Sequence, residues 1–248
     1  SKGTARYRAA PGRIEMKWSP LDKCAVEVIQ PVLIPPAGDA TGALELFPAV
    51  WSATEALVSP LARLRLQALA QLKQMGAPRL LPLVAYLVAT RLADPNLEMR
   101  KEAVRICGSL LEVDDQGLPA PEGVRQAVIS FISQMRTRPI FGLLQVLQDA
   151  PELGMDVARL LNTCPYAGRH LMDLLADRKT PLGLRQRAAD LIGQVGYLEA
   201  APALERLETR LAARSIGQQT MPFAPVDSGS EADLLPAVRR ALLLLRAA

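Results

Sequence analysis

Residues 176–211 read ADRKTPLGLRQRAADLIGQVGYLEAAPALERLETRL and contain two apolar patterns separated by a single glycine. Thr180 and Pro181 are a typical N-cap and first residue of a helix, and Gly196 is a typical stop between two helices. Apolar residues recur at helical spacing on both sides of this glycine: Leu184, Ala188, Leu191, Ile192 and Val195, then Ala200, Ala203, Leu204, Leu207 and Leu211. Helices this short cannot bury their apolar faces as an isolated pair, so the pattern predicts stacking on similar pairs.

The composition favours a helical core for the whole chain. Of its 248 residues, half are hydrophobic but only 4% are aromatic, so Leu, Ala and Val must fill the core. This mixture suits closely packed helices and argues against a β-sandwich. The 20 prolines recur between the apolar patterns, where they predict helix boundaries, with Asp94 before Pro95 as a further candidate cap.

The positive charge is concentrated at the N-terminus. Residues 1–23 hold six basic and two acidic side chains, whereas the rest of the chain is neutral. We expect four parts: a basic, partly extended N-terminal arm (1–42), helical repeats (43–214), a flexible loop (215–230) and a C-terminal capping helix (231–248). The arm either covers the end of the helical stack or tethers the protein to an acidic partner or a membrane surface through residues 1–23.

The sequence gives little support for a metal site or for a catalytic nucleophile. Cys24, Cys107 and Cys164 have no metal-ligand spacing and are expected to be reduced thiols, the last two buried in helices. The single histidine, His170, cannot form a zinc site alone. We therefore predict no metal and no cofactor. No apolar run is long enough to span a membrane and no signal peptide is present, so a cytoplasmic location is expected. Because the chain starts at Ser1 without a methionine, we expect an excised or processed fragment.

One pattern recurs along the chain with the same internal spacing. Its copies are Ser59-Pro60…Arg65-x-x-Ala68-Leu69-x-x-Leu72, Asp94-Pro95…Arg100-x-x-Ala103-Val104-x-x-Cys107, Arg185-x-x-Ala188-Ala189-x-x-Ile192 and, more weakly, Arg125-x-x-Val128-Ile129-x-x-Ile132. Over residues 55–214 this pattern resembles the HEAT-repeat family, including bacterial HEAT repeats of the phycobilisome-lyase type. The resemblance implies an all-α protein that forms a right-handed α-solenoid of stacked antiparallel helix pairs, HEAT- or armadillo-like.

The resemblance also implies a polar ladder between repeats. In the HEAT family, an Asp in the turn and an Arg six positions later link successive units. Asp94 and Arg100 match this spacing, whereas Ser59 stands in the Asp position before Arg65. Asp177 lies two residues too far from Arg185. We therefore expect an incomplete ladder.

The sequence predicts a binding protein rather than an enzyme. Common phosphate-binding, dinucleotide-binding, hydrolase and metalloprotease motifs are missing, and Asp114-Asp115 has the composition of a turn. We expect a non-enzymatic protein–protein interaction module, an adaptor or assembly scaffold, that binds its partner on a concave helical face. The predicted partner-binding residues are Arg79, Tyr86, Arg91, Tyr166, Arg169, His170, Arg206 and Arg210. Glu205 and Glu208 are expected to form i,i+4 pairs with arginines on the same exposed face.

Three alternative functions remain at this stage. The first is a HEAT-like DNA glycosylase or another nucleic-acid-binding protein, which the neutral repeats disfavour and which Trp18 and Trp51, both preceding the repeats, do not support. The second is a chromophore-lyase-like enzyme, which the repeat type alone suggests. The third is a cytoplasmic domain held at a membrane through an N-terminal anchor outside this chain.

Overall fold

The computed structural model describes residues 40–219 and 231–247, and these residues are helical apart from short connections and one isolated β-bridge between Val113 and Pro119. The α-helices of the described residues are α1 (Ala40–Ala56), α2 (Ala62–Gln74), α3 (Ala77–Leu80), α4 (Pro82–Thr90), α5 (Leu97–Leu111), α6 (Glu122–Ile132), α7 (Thr137–Asp149), α8 (Gly154–Asn162), α9 (Ala167–Ala176), α10 (Leu182–Val195), α11 (Ala201–Gln219) and α12 (Leu235–Ala247). Short 3-10 helices lie at Arg91–Ala93, Pro151–Leu153, Leu198–Ala200 and Glu231–Leu234. The predicted all-α class is confirmed for this part of the chain.

The boundaries of the predicted segments differ in two places. Helix α1 begins at Ala40, so the last residues of the predicted arm are helical, while residues 1–39 lie outside the described residues. Helix α11 continues to Gln219, because the Ala, Arg and Gln residues after Leu211 are good helix formers. Residues 215–219 of the predicted loop are therefore helical, and residues 220–230 lie outside the described part.

The stretch that predicted the fold forms the expected pair of helices. Helix α10 ends at Gly196, whose φ of 82° is the left-handed conformation that glycine adopts without strain, and α11 follows. The predicted apolar faces are largely buried: Leu184, Ala188, Leu191, Ile192, Ala200, Leu204, Leu207 and Leu211. Local periodicity was therefore sufficient to identify both helices and their inner faces.

The predicted helix caps were wrong at two positions. The Thr180 hydroxyl donates to Asp177 at 3.3 Å instead of capping α10, which has Pro181 at its N-cap position. The side chain of Asp94 does not cap α5 either; Asn96 does, accepting a backbone N–H of the first turn at 3.0 Å. Neither residue caps the helix that follows it. The Thr180 hydroxyl binds Asp177 in the preceding turn, and the Asp94 carboxylate binds Arg65 of α2.

Helix-on-helix packing extends along the described chain. Helix α2 packs against α5, α5 against α7 and α8, α7 against α9 and α10, and α10 against α9 and α12, while α4 packs mainly against α6. The residues between these helices form one apolar core that consists mostly of Leu, Ala, Val and Ile. This composition agrees with the expectation from the sequence.

The regular pattern is interrupted between residues 114 and 178. Helix α8 lies on α5 at Gly108, so closely that a side chain at position 108 would collide with Asp156. Arg159 of α8 donates to the Gly108 carbonyl at 3.3 Å. This contact of α8 on α5 depends on a glycine and not on the arginine of the repeated motif.

The arginine of the repeated motif is buried in α2, α5 and α10. Arg65, Arg100 and Arg185 are each less than a tenth exposed. In α2 and α5, one guanidinium nitrogen binds the two carbonyls that precede the helix: those of Ser59 and Pro60 at 2.9 and 3.0 Å, and those of Asp94 and Pro95 at 2.8 and 3.1 Å. Arg65 and Arg100 therefore bind the turn before their own helix in the same way.

The other edge of each guanidinium reaches a later segment of the chain. Arg65 makes two hydrogen bonds with the Asp94 carboxylate at 2.9 and 2.8 Å, Arg100 binds Gln145 at 2.9 Å, and Arg185 binds Glu231 at 3.1 Å. The carboxylate of Asp94 is therefore held by Arg65, whereas Arg100 contacts the Asp94 carbonyl. Arg125, the weak match, is half-buried and pairs with Glu122 of its own helix at 3.5 Å instead.

The contact between Arg185 and Glu231 predicts a pH-dependent stability. Burial raises the pKa of Glu231, but the Arg185 hydrogen bond and the charges of Arg178 and Arg214 outweigh it, so this pKa lies below its ordinary value of 4.5. A carboxyl pKa that is lower in the folded state stabilises the protein above the unfolded pKa, and this contribution is lost as the pH falls through the folded value. We expect Glu231→Gln to lower the urea midpoint at pH 7 and to have progressively less effect below pH ~4.5.

The control for this measurement is Asp233→Asn, an exposed carboxylate with no ion pair among the described residues. Its urea midpoint should follow that of the unmodified protein at every pH. A Glu231→Gln effect of the same size at pH 7 and pH ~3 would show that the carboxylate charge is not the cause.

Candidate protein-binding surface

The eight predicted partner-binding residues fall into three groups. Arg79, Tyr86 and Arg91 belong to α3, α4 and the 3-10 turn after it; Tyr166, Arg169 and His170 lie at the start of α9; and Arg206 and Arg210 lie on α11. Helix α4 packs mainly on α6, α9 on α7 and α10, and α11 on α12. The three groups therefore lie on helices that pack against different neighbours.

Helix α4 is apolar on almost every side. Its Val84, Ala85, Val88 and Ala89 are buried in the core. On the remaining side, Leu83 and Tyr86 are 48% and 38% exposed and Leu87 is half-buried. Residues three and four positions apart share one face of a helix. These three side chains therefore form an apolar stripe that the rest of the described chain leaves in contact with solvent.

Neighbouring elements extend this stripe. The Tyr86 ring meets the half-buried Phe131 of α6 edge to face, with ring centroids 6.1 Å apart and an interplanar angle of 88°. Leu80 of α3 and Leu118 of the loop before α6 are both exposed. We call the set the α4–α6 surface; it comprises Leu80, Leu83, Tyr86, Leu87, Leu118 and Phe131.

Arg79 holds the loop that carries Leu118. One of its guanidinium nitrogens donates to the Asp114 carboxylate and to the Leu118 carbonyl, both at 2.8 Å. Asp114 in turn accepts the backbone N–H groups of Gln116 and Leu118 at 3.0 and 2.8 Å, and Gly117 turns the chain with a φ of 76°. The Leu118 N–H, followed by the Gln116 N–H and Arg79, lowers the pKa of Asp114. Asp114 is therefore an ionised turn residue, as the sequence predicted, and Arg79 fixes part of the α4–α6 surface.

Arg91 is also engaged within the fold. Its side chain donates to the Leu57 carbonyl at 3.1 Å and to the Thr90 hydroxyl at 3.2 and 3.0 Å, and it lies 3.8 Å from the Asp94 carboxylate. These contacts connect the end of α1 with the turn before α5. Arg91 directly follows the last residue of α4 and is not one of the residues of the α4–α6 surface.

The second group lies near the start of α9. Tyr166 and Arg169 are exposed, and Arg169 has no ion-pair partner within the described residues. His170 is half-buried; its Nδ1 lies 2.9 Å from the Thr137 hydroxyl of α7, and its buried Nε2 has no hydrogen-bond partner. The His170 ring is therefore held against α7 rather than fully open to solvent.

The two cysteines of the described residues are unsuited to nucleophilic chemistry. Both are buried as predicted, but only Cys107 lies in a helix; Cys164 lies between α8 and α9. Burial raises the pKa of the Cys107 thiol to about 12 and also raises that of Cys164. Both remain protonated near neutral pH, whereas the thiolate is the reactive form. Cys24 lies outside the described residues, in which no group of three or more His, Cys, Asp or Glu residues could hold a metal ion.

The third group corrects the predicted pairing on α11. Arg206 and Arg210 are exposed, but they do not form i,i+4 pairs with the glutamates of their own helix. Glu205 instead accepts from Arg246 at 3.3 Å, and Glu208 from Arg239 at 2.9 Å. Both of these arginines belong to α12, which attracts the two carboxylates because it packs directly against α11.

Sequence reasoning identified Tyr86 but missed the leucines around it. Nothing in their residue type marked Leu80, Leu83 and Leu118 as exposed, because leucine at helical spacing usually faces the core. A usable signal was present: residues 81–89, LPLVAYLVA, contain no charged residue, so this short helix has more apolar faces than neighbours to cover them.

Comparison of the chain with protein-family models, curated proteins and solved structures gave no match. Across residues 40–219 and 231–247, no helix combines the length and apolar content that a bilayer crossing requires. The class that the fold defines is an all-helical protein, and its function must be inferred from its surfaces.

Proposed function

We propose that the chain is a non-enzymatic α-solenoid of HEAT-like helix pairs that binds another protein through the α4–α6 surface. The solenoid arrangement is supported by the buried arginine that recurs in α2, α5 and α10 and links each of these helices to a later segment. In this arrangement α4 and α6 are the second helices of two successive pairs, and such helices line the binding side of helical repeats.

The observation that carries the binding proposal is the apolar stripe formed by the exposed Leu83 and Tyr86 and the half-buried Leu87. Contiguous exposed apolar groups on a soluble protein commonly mark interaction sites. Tyrosine supplies a large rigid contact area and is frequent among the residues that dominate binding energies. The Arg79–Asp114 ion pair beside the stripe provides the polar rim that protein interfaces usually have.

The partner element that fits this surface is an amphipathic helix of another protein. The stripe and the Phe131 side of α6 are formed by two packed helices, and an apolar helix face can lie along them with anchors at helical spacing. The nearby charges Arg79 and Arg125 are already neutralised by Asp114 and Glu122, so apolar contact rather than net charge should dominate the affinity.

The proposal is tested by photo-crosslinking from within the surface. A benzoylphenylalanine replaces Leu83 in the full chain, and Leu243, an exposed leucine of α12, is the matched control position. In lysate of the native host we expect one protein to crosslink from position 83 and not from position 243. Once this partner is purified, Tyr86→Ala should weaken binding about thirtyfold, the effect of a residue worth about 2 kcal/mol.

Three outcomes would contradict the proposal. Equal crosslinking from both positions would indicate nonspecific apolar contact. Crosslinks only to a second copy of the chain would make the surface a self-association site. Nucleic acid crosslinked to position 83 would favour the alternative, a nucleic-acid-binding protein. Circular dichroism of Tyr86→Ala must match that of the unmodified protein, since Tyr86 contacts Phe131.

A further inference from the structure

The charges of α11 are divided between two sides of the helix. Its two glutamates, Glu205 and Glu208, lie on the side that faces α12, where Arg246 and Arg239 neutralise them. The arginines of α11 are thereby left without the carboxylates that lie closest to them in sequence. Helix α11 contains two glutamates and three arginines, and both glutamates are engaged by α12.

The other side of α11 carries only positive charge. Arg206, Arg210 and Arg214 are exposed and follow one another at intervals of four residues, which places them in one strip along the helix. Arg206 and Arg210 have no acidic partner among the described residues, and Arg214 pairs with Glu231. We call these three residues, together with Arg178, the arginine strip.

Glu231 is the carboxylate at the end of this strip, and three guanidinium groups share it. Arg185 lies 3.1 Å from it, Arg178 lies 3.6 Å from it, and Arg214 is in direct contact. The buried Arg185 already balances its charge. Arg178 and Arg214, which have side chains 64% and 46% exposed, therefore contribute uncompensated positive charge that a further anion can reach.

The residues next to Arg178 change this balance little. Lys179 is exposed and adds a further positive charge. Asp177 is the acidic neighbour, and its carboxylate accepts the Lys179 backbone N–H at 2.9 Å and the Thr180 hydroxyl at 3.3 Å. The strip therefore keeps a positive surplus from Arg206 to Arg178.

We propose that the arginine strip binds an acidic segment of a protein in an extended conformation. Four residues of an α-helix advance by about 6 Å, and alternate residues of an extended chain are about 6.8 Å apart. Carboxylates on alternate residues of the segment therefore meet Arg206, Arg210 and Arg214 in turn. This site is on a different helix from the α4–α6 surface and does not depend on it.

A peptide fits the strip better than a single-stranded nucleic acid. Sites for single strands combine basic groups with aromatic side chains on which the bases stack, at about 1–3 kcal/mol per base. Helix α11 contains no aromatic residue, and neither Arg178 nor Lys179 has one beside it in sequence. Helix α11 and the residues beside Arg178 thus offer guanidinium groups for carboxylates and supply no stacking platform of their own.

The test measures fluorescence anisotropy of labelled hexaglutamate with the full chain at low salt, with labelled hexaglutamine as the uncharged probe. We expect hexaglutamate to bind and hexaglutamine not to bind. The double variant Arg206→Gln/Arg210→Gln should raise the Kd about three- to tenfold, as expected for two solvent-exposed ion pairs. The matched control Arg63→Gln/Arg138→Gln removes the same charge from exposed arginines of α2 and α7 and should change the Kd less than about twofold.

Two results would overturn the proposal. Equal losses in both double variants would mean that only the net charge matters. A labelled oligothymidylate of equal charge that bound the strip more tightly than hexaglutamate, and lost affinity in the strip variant, would assign the site to nucleic acid. Tyr86→Ala should leave hexaglutamate binding unchanged, so failure of the crosslinking experiment and failure of this one are distinguishable.

Discussion

Replacing Asp94 with alanine is expected to lower the free energy of unfolding by about 3–5 kcal/mol, the cost of removing one partner from a buried ion pair. Asp94 is 5% exposed, and its carboxylate accepts both hydrogen bonds of Arg65 as well as the Asn96 N–H at 2.9 Å. Without it, the Arg65 guanidinium stays buried with no counter-ion, and the turn before α5 loses its internal bond.

Urea unfolding followed by circular dichroism measures this loss. Asp115→Ala is the matched control, since Asp115 is an exposed acid of a turn with no ion pair among the described residues, and it should change the free energy by less than ~0.5 kcal/mol. The double variant Arg65→Met/Asp94→Leu should be much more stable than Asp94→Ala, because it removes both buried charges. A loss below ~1 kcal/mol in Asp94→Ala would mean that water replaces the carboxylate and that the pair is not essential to the stack.

A methyl group at Gly193 is the second substitution with a large expected effect. Here α10 and α12 approach so closely that a Cβ at position 193 would lie 2.8 Å from the Ala241 Cα and 3.1 Å from Leu244 Cδ1. Because the nearest atom belongs to backbone, the two helices must separate. We expect Gly193→Ala to lower the free energy of unfolding by about 1–3 kcal/mol, although alanine favours the helix more than glycine does.

Gly154→Ala is the control for this prediction. Gly154 is also helical, with a φ of −55°, and nothing lies within 4 Å of a Cβ built on it. It should be neutral or stabilise the protein by up to about 1 kcal/mol, because alanine loses less backbone entropy on folding. If both variants were equally stable by urea unfolding, the close contact between α10 and α12 would not contribute to holding the C-terminal helix in place.

The two substitutions probe different determinants of the stack. Asp94 belongs to a buried ion pair with Arg65, whose arginine is visible in the sequence as the repeated residue of the motif. Gly193 belongs to an interface that depends on the lack of a side chain. The second kind of contact has no periodic signature, and the same is true of Gly108 beneath α8.

The candidate surface was predictable in part. Tyr86 and Arg79 were predicted to be binding residues from their type and register, and the structure places Tyr86 in the α4–α6 surface and Arg79 beside it. The role of Arg79 in holding the loop of Leu118 was not predictable, because the two residues are 39 positions apart and meet only when α3 lies beside that loop. The exposure of Leu83 was not predictable either, because it depends on which sides of α4 the neighbouring helices cover.

The sequence alone determined the helices, their apolar faces and the all-α class, because helical periodicity and a glycine stop act over a few neighbouring residues. It also indicated the recurring arginine. Only the tertiary structure decided which groups meet: Arg65 with Asp94 across 29 residues, Arg100 with the neutral Gln145, and Glu205 with an arginine of α12 rather than of its own helix. Several acceptors at similar spacing can satisfy one long charged side chain, so the choice among them follows from how the helices pack and not from local sequence.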